Sequence, residues 1–509
     1  MPLSRAYSVC FVGLDATLVE VEVDVSPAPE KVSLVIVGLP DTVVRESKDR
    51  VLRAVNNSGF QTKDIYCTVN LAPGDLKKEG ALYDLPIALG LILSLGTTVK
   101  ASLSDYLIVG ELGLSGELRP IYGALSIAML AKDLKKKGVL LPAVNAKEAA
   151  SVPGIAVYPI RHLQEAVQFL RNPDSLSPVS TALSEDLFQH QTPSIDFADI
   201  KGQANAKRAM EIAAAGSHNV LLSGPPGSGK TMLAKALVGI MPPLTVEESL
   251  EITKIHSIAG LLPEGKNLVL QRPFRSPHHS VSYAGLIGGG TYPRPGEVSL
   301  AHYGVLFLDE IPEFSRRVLE VLRQPLEDRC VTISRANGSY SFPTNFLCVA
   351  AMNPCPCGNL GHPDKPCKDT PLQIEKYRSK ISGPLWDRID MHIDVPPLRY
   401  RDLAESPQAE TSEMIRQRIM HARNIQKHRF KSAKTNGNMS SREIRNHCSL
   451  DSQCMDLIRQ AMDEMGMSAR ACDRLLRVAR TIADLDNSPQ IRYEYLMEAI
   501  HFRNMIKTG

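Results

Sequence analysis

Apolar and polar residues alternate with period two from Ala16 to Val25, and a short apolar run follows at Val32 to Val37, so each predicts a β-strand. Asp41 to Asn56 and Leu82 to Leu95 instead space their apolar residues at helical intervals. This mixture continues to about residue 170 and predicts a compact α/β block over 1–170. Residues 171–195 (RNPDSLSPVSTALSEDLFQHQTPSI) are rich in Ser, Pro and Thr, lack apolar periodicity and predict a linker. Within 196–397, Asn219 to Leu222, Val305 to Leu308 and Phe346 to Met352 are short apolar runs that suit fully buried strands. MLAKALVGI, just after the first of them, has a helical pattern. Residues 398–509, with sustained helical periodicity from Glu413 onward, predict an all-α block. The expected class is an α/β multidomain protein without a short-period internal repeat.

Composition narrows the setting more than the function. A chain of 509 residues suits roughly two to four domains. The net charge of +3 names no partner, so local clusters must do so. The longest apolar stretch, Leu85 to Gly96, is too short to span a bilayer, and Asp15, Glu20 and Glu22 interrupt any secretion signal. Ten cysteines, most of them isolated, fit reduced thiols. A cytoplasmic protein with no membrane partner is expected.

The chemistry begins at Gly224-Pro225-Pro226-Gly227-Ser228-Gly229-Lys230-Thr231, between a predicted strand and a predicted helix. Glycines let successive backbone N–H groups turn toward phosphate oxygens, and the helix offers its positive end to the same anion. Lys230 is placed to reach the β and γ phosphates of ATP, and Thr231 to ligate Mg²⁺. Asp309 and Glu310 end the VLFL strand, where Asp309 would hold the ion from the other side through water and Glu310 would act as base for the attacking water.

Asn353 closes the third buried strand, and this order of phosphate loop, Asp-Glu and Asn resembles the AAA+ ATPases, whose sensor-1 asparagine positions the hydrolytic water. In GPLWDRIDMHIDVP the resemblance makes Arg388 the arginine finger offered to a neighbouring subunit; an ion pair with Asp387 or Asp390 is the alternative. In SARACDRLLRVARTIADL it makes Arg470 the second sensor, with Arg474 and Arg477 as alternatives. Residues 272–304, too long and glycine-rich for a connector, and the predicted hairpin Cys330 to Pro343, turning at Asn337-Gly338 with Arg335 near its tip, are similar to the helix-2 insert and pre-sensor hairpin of the magnesium-chelatase branch. In that branch, both line the pore of a ring. GLPDTVVRES, PFRSPHH, AAMNPCPCG and ARTIADL, with the block order, resemble the ComM/YifB proteins over essentially the whole chain. That resemblance implies a homo-hexameric, ATP- and Mg²⁺-dependent DNA helicase promoting branch migration during natural transformation, working with recombination proteins. The competing readings are a metal-insertion motor and a protein-remodelling ATPase.

The first block resembles the Lon proteolytic domain (an S5-like α/β fold) over VGELGLSGELRPIYGALSIAMLAK and KEGALYDLPIALG. Leu82 and Leu125 fall near the positions of its serine and lysine, which predicts an inactive domain that assembles the ring or guides DNA. Cys355, Cys357, His362 and Cys367 offer three thiolates and an imidazole to structural Zn²⁺. Asp369 stands where ComM relatives often have a further cysteine, so His362 is the expected fourth ligand. DNA contacts, independent of sequence and single-stranded, double-stranded or branched, are expected from Arg272, Arg275, His278, His279, Arg294 and Arg335 on the pore elements. The basic run Arg416 to Arg445 is either a second phosphate contact or a solvated helix face, and Tyr283 or Tyr292 either stacks on bases or packs.

Overall fold

Ser4–Val12 (β1) and Asp15–Pro27 (β2) pair antiparallel, and the alternating valines of β2 (Val19, Val21, Val23 and Val25) all face inward. In this computed structural model, which describes residues 3–181, 188, 195–263, 266–290, 293–335, 338–397 and 410–504, they are the centre of a seven-stranded sheet. Its other strands are Val32–Val37 (β3), Ile65–Ala72 (β4), Tyr106–Ile108 (β5), Gly138–Pro142 (β8) and Ala156–Ile160 (β9), in the order β3-β4-β2-β1-β5-β8-β9. Glu111–Leu112 (β6) and Leu118–Arg119 (β7) form a separate small ribbon. Helix Asp84–Ser94 is buried almost throughout, and at Gly90 it approaches the sheet so closely that a Cβ would lie 2.6 Å from Val23 Cγ2. The buried Asp84 holds helix Thr42–Asn57 through Arg50 at 2.9 Å.

The chain forms two compact units, residues 1–187 with Thr245–Leu270, and residues 188–244 with Gln271–Gly509. The first unit thus takes a segment from inside the block read from sequence as 196–397. Its helix Val246–Ile258 is held there by Ser257, whose hydroxyl donates to Glu148 at 2.5 Å and accepts the Gly123 N–H at 2.8 Å.

The second unit is built on five parallel strands. They are Val220–Ser223 (β10), Phe274–Arg275 (β11), Val305–Leu308 (β14), Leu347–Met352 (β17) and Met391–Asp394 (β18), in the order β11-β14-β17-β10-β18. Gly288–Gly289 (β12) pairs with Arg294–Pro295 (β13), and Cys330–Arg335 (β15) pairs with Gly338–Pro343 (β16) as the expected hairpin. The turn residue Asn337 lies outside the described residues, as does Tyr292. One apolar cluster joins the sheet to the C-terminal helices, with Ile415, Ile419, Leu475, Val478, Ile482 and Leu496 packed among Ala209, Ile212 and Leu233. Among the described residues, no helix is long and apolar enough to cross a membrane.

A buried polar knot locks those helices together. Asp484, fully buried, accepts from Arg429 Nη1 at 2.7 Å, Asn436 Nδ2 at 2.7 Å and Arg480 Nε at 3.1 Å. Thr481 bridges His218 at 2.7 Å and Asn436 at 3.1 Å. Removing a buried acid strands its cations. Asp484→Ala is expected to lower the stability of this unit by about 3–5 kcal/mol, seen as an earlier urea transition. Arg459→Ala, whose pair with Asp456 is open to solvent, should leave that midpoint nearly unchanged.

Candidate nucleotide site at the strand ends

Because β10, β14 and β17 run parallel, the residues that follow them collect at one edge of the sheet, the edge where ligands bind in open α/β sheets. After β10 comes the phosphate loop. Gly224 abuts the Val395 carbonyl, where a Cβ would lie 2.2 Å from the oxygen, and Gly227 and Gly229 have φ of +78° and +92°. Lys230 opens helix Lys230–Ile240, and its Nζ donates to Gly224 O at 2.7 Å, Pro225 O at 2.9 Å and Asn353 Oδ1 at 3.4 Å. Burial pushes its ammonium below the ordinary value, with Asp309 and Glu310 opposing. The Ser228 hydroxyl is buried without a hydrogen-bond partner among the described residues. A desolvated cation, an orphaned hydroxyl and a glycine loop at a helix start fit a polyphosphate.

Just past β14 comes Asp309, whose Oδ2 accepts from the Thr231 hydroxyl at 3.1 Å and whose Oδ1 accepts the Glu310 N–H at 3.0 Å. Those two oxygen-bearing side chains are the pair suited to hold Mg²⁺. Glu310 is exposed, sits at a left-handed φ of +50°, and opens into a cavity of about 470 Å³ with Glu313, Asn353, Tyr377 and Lys380. A bulky residue held there stores strain of the kind found at functional sites. Tyr377 was not foreseen from sequence. It comes from helix Pro371–Arg378, bonds the Asn353 backbone, and burial pushes its phenol up to about 12, so it stays a neutral hydroxyl.

The arginines lie at the opposite edge. Arg388 precedes β18, and its carbonyl accepts from Asn219 Nδ2 at 3.3 Å, at the start of β10. Four residues of strand separate that point from the phosphate loop, roughly 13 Å. The guanidinium pairs with Glu327 and donates to Pro384 O at 2.8 Å, so neither Asp387 nor Asp390 is its partner. Asp390 belongs to Arg474, at 2.7 Å. Burial alone would raise the Asp390 carboxyl, but Arg474, His218 and the Asn219 N–H hold it below the ordinary value. Arg470 is exposed and lines a polar cavity of about 410 Å³ at this edge, with Arg329, Arg474 and Arg477. Burial pushes Arg329 and Arg477 below their ordinary values, and the nearby Arg474 adds to this.

The thiols of Cys355, Cys357 and Cys367 meet beside Asn353, but His362 does not join them. Its Nδ1 accepts the Asp364 N–H at 3.0 Å. Asp369 takes the fourth place, which corrects the expected ligand set; the acid two residues past the third cysteine was the available signal.

Several expected DNA contacts are already committed. Arg272 donates to the carbonyls of Pro242 at 2.6 Å and Tyr303 at 2.7 Å, and Arg275 forms a bidentate pair with Glu297 at 2.6 and 2.7 Å. Both are struts. The ring of Tyr283 faces Arg317 at 5.7 Å. Part of the basic run is neutralised, with Arg416 on Glu413, Arg418 on Glu211 and Glu410, Arg429 on Asp484 and Lys434 on Glu443, while Lys427, Lys431, Arg442 and Arg445 are exposed. His278, Arg294 and Arg335 are exposed, while His279 is half-buried against His278. The Arg335 guanidinium lies against Gly289, so hairpin and β12–β13 ribbon are neighbours. In the first unit, Leu125 is buried and Leu82 half-buried, and neither offers a nucleophile or base.

The family "Magnesium chelatase, subunit ChlI" matches residues 196–403, "Subunit ChlI of Mg-chelatase" matches 21–145, and "Magnesium chelatase, subunit ChlI C-terminal" matches 409–503. The chain is 41% identical to Competence protein ComM of Haemophilus influenzae over 509 residues, covering all of this chain and 98% of the relative. It is 41% identical to the YifB protein of Escherichia coli (strain K12) over 507 residues, covering 99% of this chain and 97% of the relative. Shorter stretches are similar to DNA repair protein RadA of Aquifex aeolicus (34% over 110 residues, 21% of this chain and 23% of the relative) and Lon protease 2 of Bacillus subtilis (30% over 161 residues, 30% and 29%). With a phosphate loop, acid pair and asparagine on one strand edge and full-length likeness to these relatives, the chain belongs to the ComM/YifB family of magnesium-chelatase-like AAA+ ATPases.

Proposed function

We propose that this ATPase works as a homo-hexameric ring that binds ATP between subunits and uses its hydrolysis to drive DNA strands through branch migration during recombination of incoming DNA. One observation carries the ring: Lys230, Thr231, Asp309, Glu310 and Asn353 lie at one edge of the sheet, whereas Arg388 and Arg470 lie at the other. A single chain therefore holds two half-sites that face apart, and a second copy supplies the missing half of each. Arg388 would leave Glu327 for the phosphoryl oxygens of the neighbour's nucleotide, where a positioned arginine offsets transition-state charge. Arg470, with Arg474 beside it, extends the same cationic face. Asn353 and Glu310 would orient the attacking water, and Mg²⁺ would rest on Thr231 and Asp309.

DNA as the cargo rests on the exposed His278, Arg294 and Arg335, borne on the adjoining ribbon and hairpin, and on the competence and DNA-repair names of two relatives. These cations can meet phosphates but carry no base-reading pattern, so binding is independent of sequence.

The ring is tested by mixing. Lys230→Ala and Arg388→Ala proteins should each lose DNA-stimulated ATP turnover, by about 10³-fold for the arginine. Together they should recover part of it, because some interfaces then join an intact phosphate loop to an intact arginine; no recovery on mixing would sink the shared site. Affinity for a DNA junction should fall at least about tenfold between about 50 and 200 mM salt. Arg294→Ala with Arg335→Ala should weaken DNA binding while leaving DNA-free turnover intact, and an unchanged affinity would remove the proposed DNA surface.

A further inference from the structure

The segment from Pro354 to Asp369 has no helix or strand, yet it directly follows Asn353. Two of its internal backbone hydrogen bonds are Gly358 N–H to Cys355 O and His362 N–H to Asn359 O, both short-range turns at 3.0 Å. Its ends are nevertheless drawn together. The three sulfurs form a nearly equilateral triangle, with Cys355 and Cys357 3.4 Å apart and Cys367 3.6 Å from each. Asp369 Oδ2 lies 3.7 Å from Cys367 Sγ and accepts the Cys357 N–H at 2.8 Å. Hydrophobic burial does not account for this gathering, because Cys357 and Cys367 are only half-buried. A disulfide would join two of the three sulfurs and leave one over. With Zn–S bonds of about 2.3 Å, an ion would sit about 1 Å above the plane of this triangle, and tetrahedral S···S and S···O edges come to about 3.8 and 3.6 Å. The observed edges lie close to those values, and soft thiolates select zinc over magnesium or calcium.

The segment also touches the phosphate loop and the helix that carries Tyr377. Gly358 lies on the phosphate loop so closely that a Cβ would stand 2.7 Å from Pro226 Cδ. Pro354 O accepts from Arg378 at 3.4 Å, and Asn353 is bonded to Tyr377 on the helix that begins just after Asp369.

We propose that Cys355, Cys357, Cys367 and Asp369 bind one Zn²⁺, with loss of the three thiol protons, and that this ion is the brace that sets Asn353 and the phosphate loop at their working separation. The zinc site stands on its own geometry, while its role as a brace rests on the nucleotide-site reading above. His362 is not a ligand. The full-length protein should carry about one zinc per chain by atomic emission, released together with three titratable thiols by a mercurial reagent. Cys367→Ser and Asp369→Ala should lose most of it, His362→Ala should keep it, and Asp369→Cys should retain it and act as the folded control. Cys367→Ser should still bind a fluorescent ATP analogue within about threefold but turn over ATP at least about tenfold more slowly, a loss that Asp369→Cys does not show. Zinc below about a tenth of an equivalent in the wild type, with all three thiols freely titrating, overturns the site. Zinc retained in His362→Ala but lost without any change in turnover in Cys367→Ser overturns the brace and leaves the site. Were the wild type to show no ATP turnover at all, the metal content of the same variants would still decide the ligand set.

Discussion

Everything in the second unit depends on the parallel ladder in which β10 is hydrogen-bonded to β17 on one side and β18 on the other. Val220 stands opposite Val349 and Met391 at once, and Ser223 opposite Met352 and Asp394. Parallel pairing forces every strand to finish at the same edge, so the loop after β10, the acids after β14 and the asparagine after β17 meet without further instruction. The same rule sends what precedes the strands to the far edge, including Arg388 before β18 and Phe346 before β17, whose carbonyl accepts from Arg329. A fold of this kind separates the group that holds a phosphate from the group that could stabilise its transfer. In the proposed ring, the need for a second copy would follow from strand direction rather than from any special interface residue.

Several cations that look available in the sequence are committed inside the fold. Arg418 and Arg429 look like a basic surface when counted along helix Ser412–Phe430, yet each closes on a carboxylate brought from elsewhere, and Lys434 closes on Glu443 within its own run. Arg272 and Arg275, in a segment rich in cations, brace the chain against Pro242, Tyr303 and Glu297. By contrast, the cations of the arginine cavity outnumber the acids that share it, and Arg329 and Arg477 feel one another's neighbours as well as burial. Four arginines share this cavity with Glu327, Asp390 and Asp473, and an incoming anion would offset the remaining positive charge.

Much of the fold was legible along the chain. The period-two run in β2, the helical spacing in Thr42–Asn57 and the pairing of β15 with β16 each follow from local stereochemistry, and the elements appear within a residue or two of expectation. The phosphate loop was legible for the same reason, since its glycines, lysine and threonine act through adjacent backbone. His362 failed as a ligand because spacing along a loop says little about which side chain points inward; the backbone turn instead gives His362 a local partner in the Asp364 N–H. That helix Val246–Ile258 packs with the first unit was not legible, because Ser257 and its acceptor Glu148 are 109 residues apart.

The sequence by itself therefore determined the elements, the nucleotide chemistry and the family, all of which rest on residues close together in the chain. Only the tertiary structure decided which arginines are paired, that Glu327 rather than Asp387 or Asp390 holds Arg388, that Asp369 completes the thiol cluster, and that Arg388 and Arg470 lie at the strand ends opposite the phosphate loop. Those outcomes depend on pairings across tens to hundreds of residues, where loop closure and packing, not local preference, choose the partner.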